Sequence, residues 1–129
     1  MIKKVALLLT LPMLFAFGSK HSTLDASHSK KDGEVVFQFK IKANDGMQLT
    51  HQAPWSVSFD QAKDLGLKVD EKGKFTSKSY DEKLPGFTVK AKPTAKSGTF
   101  NYKVKAFVCT LDKKRCYPQT HKGTINWKS

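Results

Sequence analysis

The sequence predicts an all-β protein of antiparallel strands, and three observations carry that prediction. Apolar and polar residues alternate with a period of two in four separate stretches, the pattern of strands that bury one face. Clusters such as Asn44-Asp45-Gly46, Lys72-Gly73-Lys74 and Leu84-Pro85-Gly86 supply turns between them. No segment keeps a helical period for more than two turns, and there are no internal repeats.

The first alternation begins at Glu34. Val35, Phe37, Phe39, Ile41 and Ala43 share one face, and Val36, Gln38, Lys40 and Lys42 the other. After the turn at 44–46, residues 47–50 read as a short strand. Pro54 precedes a second clear strand, with Trp55, Val57 and Phe59 inward and Ser56, Ser58 and Asp60 outward. Residues 61–65 read as a helical turn, Leu67 and Val69 as partly buried, and 70–80 as a hairpin or long loop. Phe87, Val89 and Ala91 make the inward face of another strand, followed by a loop at 93–98. The longest strand covers 99–109, with Phe100, Tyr102, Val104, Ala106 and Val108 inward and Asn101, Lys103 and Lys105 outward. A last strand ends in Ile125 and Trp127. Trp55 and Trp127 fit core positions. Short alternating strands between turns predict a two-sheet antiparallel β-sandwich of immunoglobulin-like type.

The N-terminus has the layout of an export signal. Lys3 and Lys4 form a basic start, residues 5–17 are apolar apart from Thr10 and Pro12, and Ala16 and Gly18 are the small residues of a cleavage site. That apolar run of 13 residues is shorter than the roughly 20 that span a bilayer. Residues 1–18 are therefore read as a cleaved signal peptide, and no membrane span is expected after cleavage. Residues 19–33 are rich in Ser, His, Lys and Asp and read as a flexible leader. Residues 34–129 form the folded domain. The protein is expected in the periplasm, as a monomer.

The formal charge is +12, or +10 once Lys3 and Lys4 leave with the signal. Nucleic acid is not the expected partner. Arg115 is the only arginine, and arginine is the residue that grips phosphates and guanine edges with paired hydrogen bonds. The lysines instead alternate with apolar residues, as on a solvated strand face. No nucleophile with a nearby base, no G-x-S-x-G and no paired-carboxylate motif points to hydrolysis.

The informative stretch is 107–118, Phe-Val-Cys-Thr-Leu-Asp-Lys-Lys-Arg-Cys-Tyr-Pro. If 111–114 is a four-residue hairpin loop, Thr110 faces Arg115, Cys109 faces Cys116, Val108 faces Tyr117 and Phe107 faces Pro118. Opposed residues of an antiparallel pair lie about 4.5–5.5 Å apart at Cα, within the range a disulfide accepts. Val108 belongs to the inward set, so Cys109 and Cys116 are expected on the outer face, with Phe107 and Pro118 as an adjoining docking patch. Lys113, Lys114 and Arg115 adjoin Cys116, and cations lower a thiol pKa. An exported domain also makes a disulfide staple an ordinary expectation. On these features a redox-active pair and a structural staple both stand.

The segment from the aromatic-Val-Cys end of a long strand to Cys116-Tyr117-Pro118-Gln119, together with Gly46-Met47 and Ala53-Pro54-Trp55, resembles the N-terminal periplasmic domain of the thiol:disulfide interchange protein DsbD and its stand-alone relatives. The likeness covers about 34–127 and does not extend to that family's membrane and thioredoxin domains. It implies an immunoglobulin-like sandwich with no cofactor. Its catalytic pair would be Cys109 and Cys116, exchanging electrons with thioredoxin-like or membrane thiol-transfer proteins of the envelope. Reduced Cys109 is expected to attack a partner disulfide and Cys116 to resolve it, and the basic flank of Cys116 leaves the reverse assignment open. Phe107, Tyr117, Pro118 and Arg115 would be the partner-docking residues. The family shields its disulfide with an aromatic cap loop, for which 60–86 is the natural candidate. Two departures are local: six residues separate the cysteines where five are expected, and the loop has no glycine.

Two other classes of function compete. One is a non-catalytic envelope binding module whose disulfide clamps the hairpin. The other is a copper carrier, because Cys116 and His121 have a C-x4-H spacing and His51 lies upstream. The expected metal set is none, with His121 an exposed strand residue.

Overall fold

The computed structural model describes residues 20–50 and 54–129. The expected signal peptide, His51 and Ala53 lie outside the described residues. Among those described, no helix is long and apolar enough to cross a membrane.

The described chain is all-β, with antiparallel pairing throughout. Its strands are β1 (Ser22–Lys31), β2 (Glu34–Ala43), β3 (Met47–Leu49), β4 (Ser56–Phe59), β5 (Phe75–Ser77), β6 (Gly86–Ala91), β7 (Ser97–Thr110) and β8 (Cys116–Lys128), with a 3-10 turn at Lys63–Leu65. One sheet has the order β1-β2-β6. The other is built around β7. Strand β8 lines one side of β7 along its length, β3 and β4 share the opposite side, and β5 lies outside β4.

The period-two faces meet in the core. Phe37 and Phe39 from the first sheet pack on Phe59, Phe100 and Tyr102 from the second. The Phe37 and Phe100 rings meet edge-on at 5.1 Å, and Phe59 stacks on Phe100 at 4.2 Å. Offset and edge-on geometries suit the ring quadrupole, and each such pair adds about 0.5–1.5 kcal/mol beyond area burial. Trp55 and Trp127 are buried as expected. The helical turn expected at 61–65 is the 3-10 turn, which buries Leu65.

Residues 22–31 correct the expectation of a flexible leader. They pair with β2 from Ser22↔Ala43 to Lys31↔Glu34. Asp32 and Gly33 both have positive φ, 51° and 82°, as a two-residue type I′ hairpin turn requires. Of the apolar residues, β1 gives the core just Leu24 and Ala26. The strand is held by its ladder and turn more than by buried side chains, so composition alone does not reveal it.

A polar seam fastens β1 to β8. Gln119 Oε1 accepts the His21 N–H at 3.0 Å and the Ser22 hydroxyl at 2.9 Å, while His121 Nε2 lies 2.8 Å from Ser22 Oγ. With the Ser22 proton given to Gln119, the ring carries its hydrogen on Nε2 and donates to Ser22 Oγ. His121, expected to be exposed, is 8% exposed. Parity places it on the inner face of β8, where β1 covers it.

Two expectations follow. Phe59→Ala should cost about 3–5 kcal/mol, because its ring is fully buried between aromatic neighbours, and urea denaturation will read it. Burial also pushes the His121 ring below the ordinary histidine value of 6.5. The unfolded chain then takes up a proton as pH drops through about 6.5 while the folded chain does not. Stability should therefore fall as pH drops below about 6.5, until the folded ring itself takes up a proton, and His121→Gln should flatten that fall in paired urea titrations.

Candidate functional site: a disulfide at the tip of a hairpin

The β7–β8 hairpin has the register the spacing predicted: Phe107↔Pro118, Val108↔Tyr117 and Cys109↔Cys116. The Thr110 N–H donates to Arg115 O at 2.8 Å, and the Lys113 N–H donates to Thr110 O at 2.8 Å. Lys113 takes a left-handed φ of 63°, the conformation a glycine most readily supplies. Asp112 organises the loop by accepting the Thr110 hydroxyl and the Lys114 N–H. Those bonds hold its carboxyl below the usual range.

Thr110 and Arg115 form a hydrogen-bonded pair, so the next pair, Cys109 and Cys116, is non-hydrogen-bonded. Side chains approach most closely at such pairs. The two cysteines are joined in a disulfide, with Cα atoms 3.9 Å apart.

The two cysteines are not equivalent. Cys116 is exposed, but Cys109 is only 4% exposed. The expectation of two accessible outward cysteines is corrected by the sheet order. Strand β8 is an edge at this level, whereas β7 is internal, because β3 sets Gln48 opposite Cys109 on its other side. The Gln48 amide donates to Thr110 O at 3.1 Å and Leu111 O at 3.2 Å, tying β3 to the start of the loop. The residue beside Cys109 across the sheet thus comes from 47–49.

The expected docking residues divide between the two faces. Phe107, half-buried, and Pro118, exposed, sit opposite each other on the cysteine face. Pro118 has no N–H to give, and at a non-hydrogen-bonded position on an edge strand none is needed. Arg115 is exposed beside Cys116. Tyr117 has the other parity, and its ring lies 4.3 Å from that of His21. Leu111 was not singled out from the sequence. It is 66% exposed in the hairpin loop, two residues beyond Cys109. Its only sequence signal was an apolar residue inside a polar turn.

The copper arrangement is not formed. Cys116 and His121 are five positions apart on one strand, so they point to opposite faces. His121 is engaged by Ser22. Among the described residues, no group of three His, Cys, Asp or Glu side chains is placed to hold a metal ion.

No protein-family model, no curated protein and no solved structure matches the chain.

The disulfide closes a loop with a sequence separation of only 7. Chain-entropy reasoning limits its contribution to about 2.5 kcal/mol. The reduced protein should therefore remain folded, losing no more than about that amount of stability in urea titrations with and without reductant.

Proposed function

We propose that the protein is an exported, periplasmic thiol–disulfide exchange protein that passes electrons through the Cys109–Cys116 pair. The observation that carries this reading is the inequality of the two cysteines. One lies on an exposed edge strand, and the other lies behind it on an internal strand. An exchange centre needs one sulfur that a partner reaches and a second that closes the cycle. A core staple needs neither property. The cationic flank of Lys113, Lys114 and Arg115 favours the Cys116 thiolate, and the short loop limits what the bond adds to stability. The resemblance of 34–127 to the DsbD N-terminal domain supports the same activity, and with it an immunoglobulin-like class of sandwich.

Burial sets the order of events. In the reduced protein, the Cys116 thiolate attacks one sulfur of a partner disulfide. A mixed disulfide forms and the partner's other sulfur leaves as a thiolate. Cys109, deprotonated, then attacks Cys116 Sγ. The internal disulfide closes and the partner departs as a dithiol, carrying two electrons. The reverse sequence takes electrons in. Phe107 and Pro118 on the cysteine face, Arg115 beside Cys116 and the exposed Leu111 of the loop would contact the partner, a thioredoxin-like or membrane thiol-transfer protein of the envelope.

The reduction potential is expected near about −200 mV; a value below about −300 mV would mark a structural staple and remove the proposal. The order of events has its own check. In Cys109→Ser, the lone Cys116 should form a mixed disulfide with oxidised glutathione at least roughly tenfold faster than the lone Cys109 of Cys116→Ser. Equal rates would overturn the assignment of Cys116 as the entry sulfur.

A further inference from the structure

The outer face of the larger sheet carries an unbalanced charge. Lys103 and Lys122 are directly opposed across the β7–β8 ladder. Counting pairs from Thr110 and Arg115 makes theirs a non-hydrogen-bonded pair, where side chains are closest and like charges destabilise. The smaller sheet is built differently: there Lys40 faces Asp25.

The lysine pair borders a cleft of about 610 Å³, to which the 70–74 turn adds Lys72 and Lys74. Asp60 is the one carboxylate among the lining residues. It is already engaged, because its Oδ1 accepts the Asn101 N–H at 3.0 Å. The Asn101 side-chain oxygen in turn accepts the Thr124 hydroxyl at 2.7 Å. The floor therefore satisfies itself; among the lining residues four lysines stand against one carboxylate, and Asp70, outside the lining, accepts the Lys72 and Lys74 N–H groups within the same turn. Charges of one sign gathered in a concave site focus their field on what enters.

We propose that this cleft is a docking site for an acidic peptide segment of a partner protein. All four cations are lysines, which act as point charges and lack the planar fork that makes phosphate recognition bidentate. The lysines also converge on a recess, which an extended chain enters more readily than a flat lipid surface does. Residues 101, 103, 105, 107 and 109 of β7 share one face, so the cleft and the disulfide lie on the same side of the sheet, six residues or roughly 20 Å apart. A partner that docks at Cys116 and extends roughly 20 Å along β7 would cover this cleft. The charge and shape of the cleft stand whether or not the disulfide exchanges.

The test is fluorescence anisotropy of a labelled peptide of alternating Glu and Ser with the oxidised protein at low salt. Saturable binding is expected, weakening steeply as salt rises. Lys103→Gln with Lys122→Gln should weaken it at least roughly tenfold, while Lys30→Gln with Lys31→Gln, outside the cleft, should leave it unchanged. Removing a like-charge pair should also raise the melting temperature, so misfolding will not imitate the loss. Equal weakening by both double variants would reduce the effect to net charge and overturn the proposal. So would inorganic phosphate, or vesicles of anionic lipid, binding through Lys103 and Lys122 where the peptide does not. Peptide binding should persist in Cys109→Ser with Cys116→Ser. A potential that marks a staple therefore leaves the cleft standing, and absence of peptide binding leaves the redox reading standing.

Discussion

The ladder between β7 and β8 runs for thirteen pairs, from Ser97↔Lys128 to Cys109↔Cys116, and its register is the constraint on which the other features depend. A strand has a side-chain period of two, so a slip of one residue would exchange its faces. The register is pinned by more than alternation. Gly98 faces Trp127 and Gly123 faces Tyr102, and in each case the aromatic ring occupies the space a Cβ would need. At the far end the disulfide fixes the last pair covalently. The same register buries Phe100 and Val104, opposes the cysteines and sets Lys103 against Lys122.

Position within the sheet, and not face alone, then decides what each cysteine can do. Both cysteines have outward parity. Strand β8 ends its sheet, while β7 has β3 beside it at the level of Cys109. Two residues equivalent by pattern thereby become an exposed cysteine and a shielded one. That asymmetry arises from three residues, Met47–Leu49, and from the bonds Gln48 makes to the hairpin loop.

The joint between the two sheets is also asymmetric. Aromatic packing holds their inner faces, and the Ser22–Gln119–His121 seam holds one side. A buried polar group without a partner costs more than a typical hydrogen bond contributes, so these three side chains support one another or none is well placed. The buried histidine makes this seam sensitive to pH, whereas the aromatic core is not.

The sequence by itself determined the all-β class, the two tryptophans in the core and the pairing of Cys109 with Cys116. Alternation and turn length are local properties, and the backbone obeys them without reference to distant residues. The β1 strand was also locally signalled, because Asp32-Gly33 directly before an alternating strand is a hairpin turn, but the polar composition of 22–31 masked it. Only the tertiary structure decided which cysteine is exposed, that His121 is buried, and that Lys72, Lys74, Lys103 and Lys122 border one cleft. Each of these is set by which strand lies beside which. Residues far apart in the chain make that choice by burying their apolar faces together, and no local pattern records it.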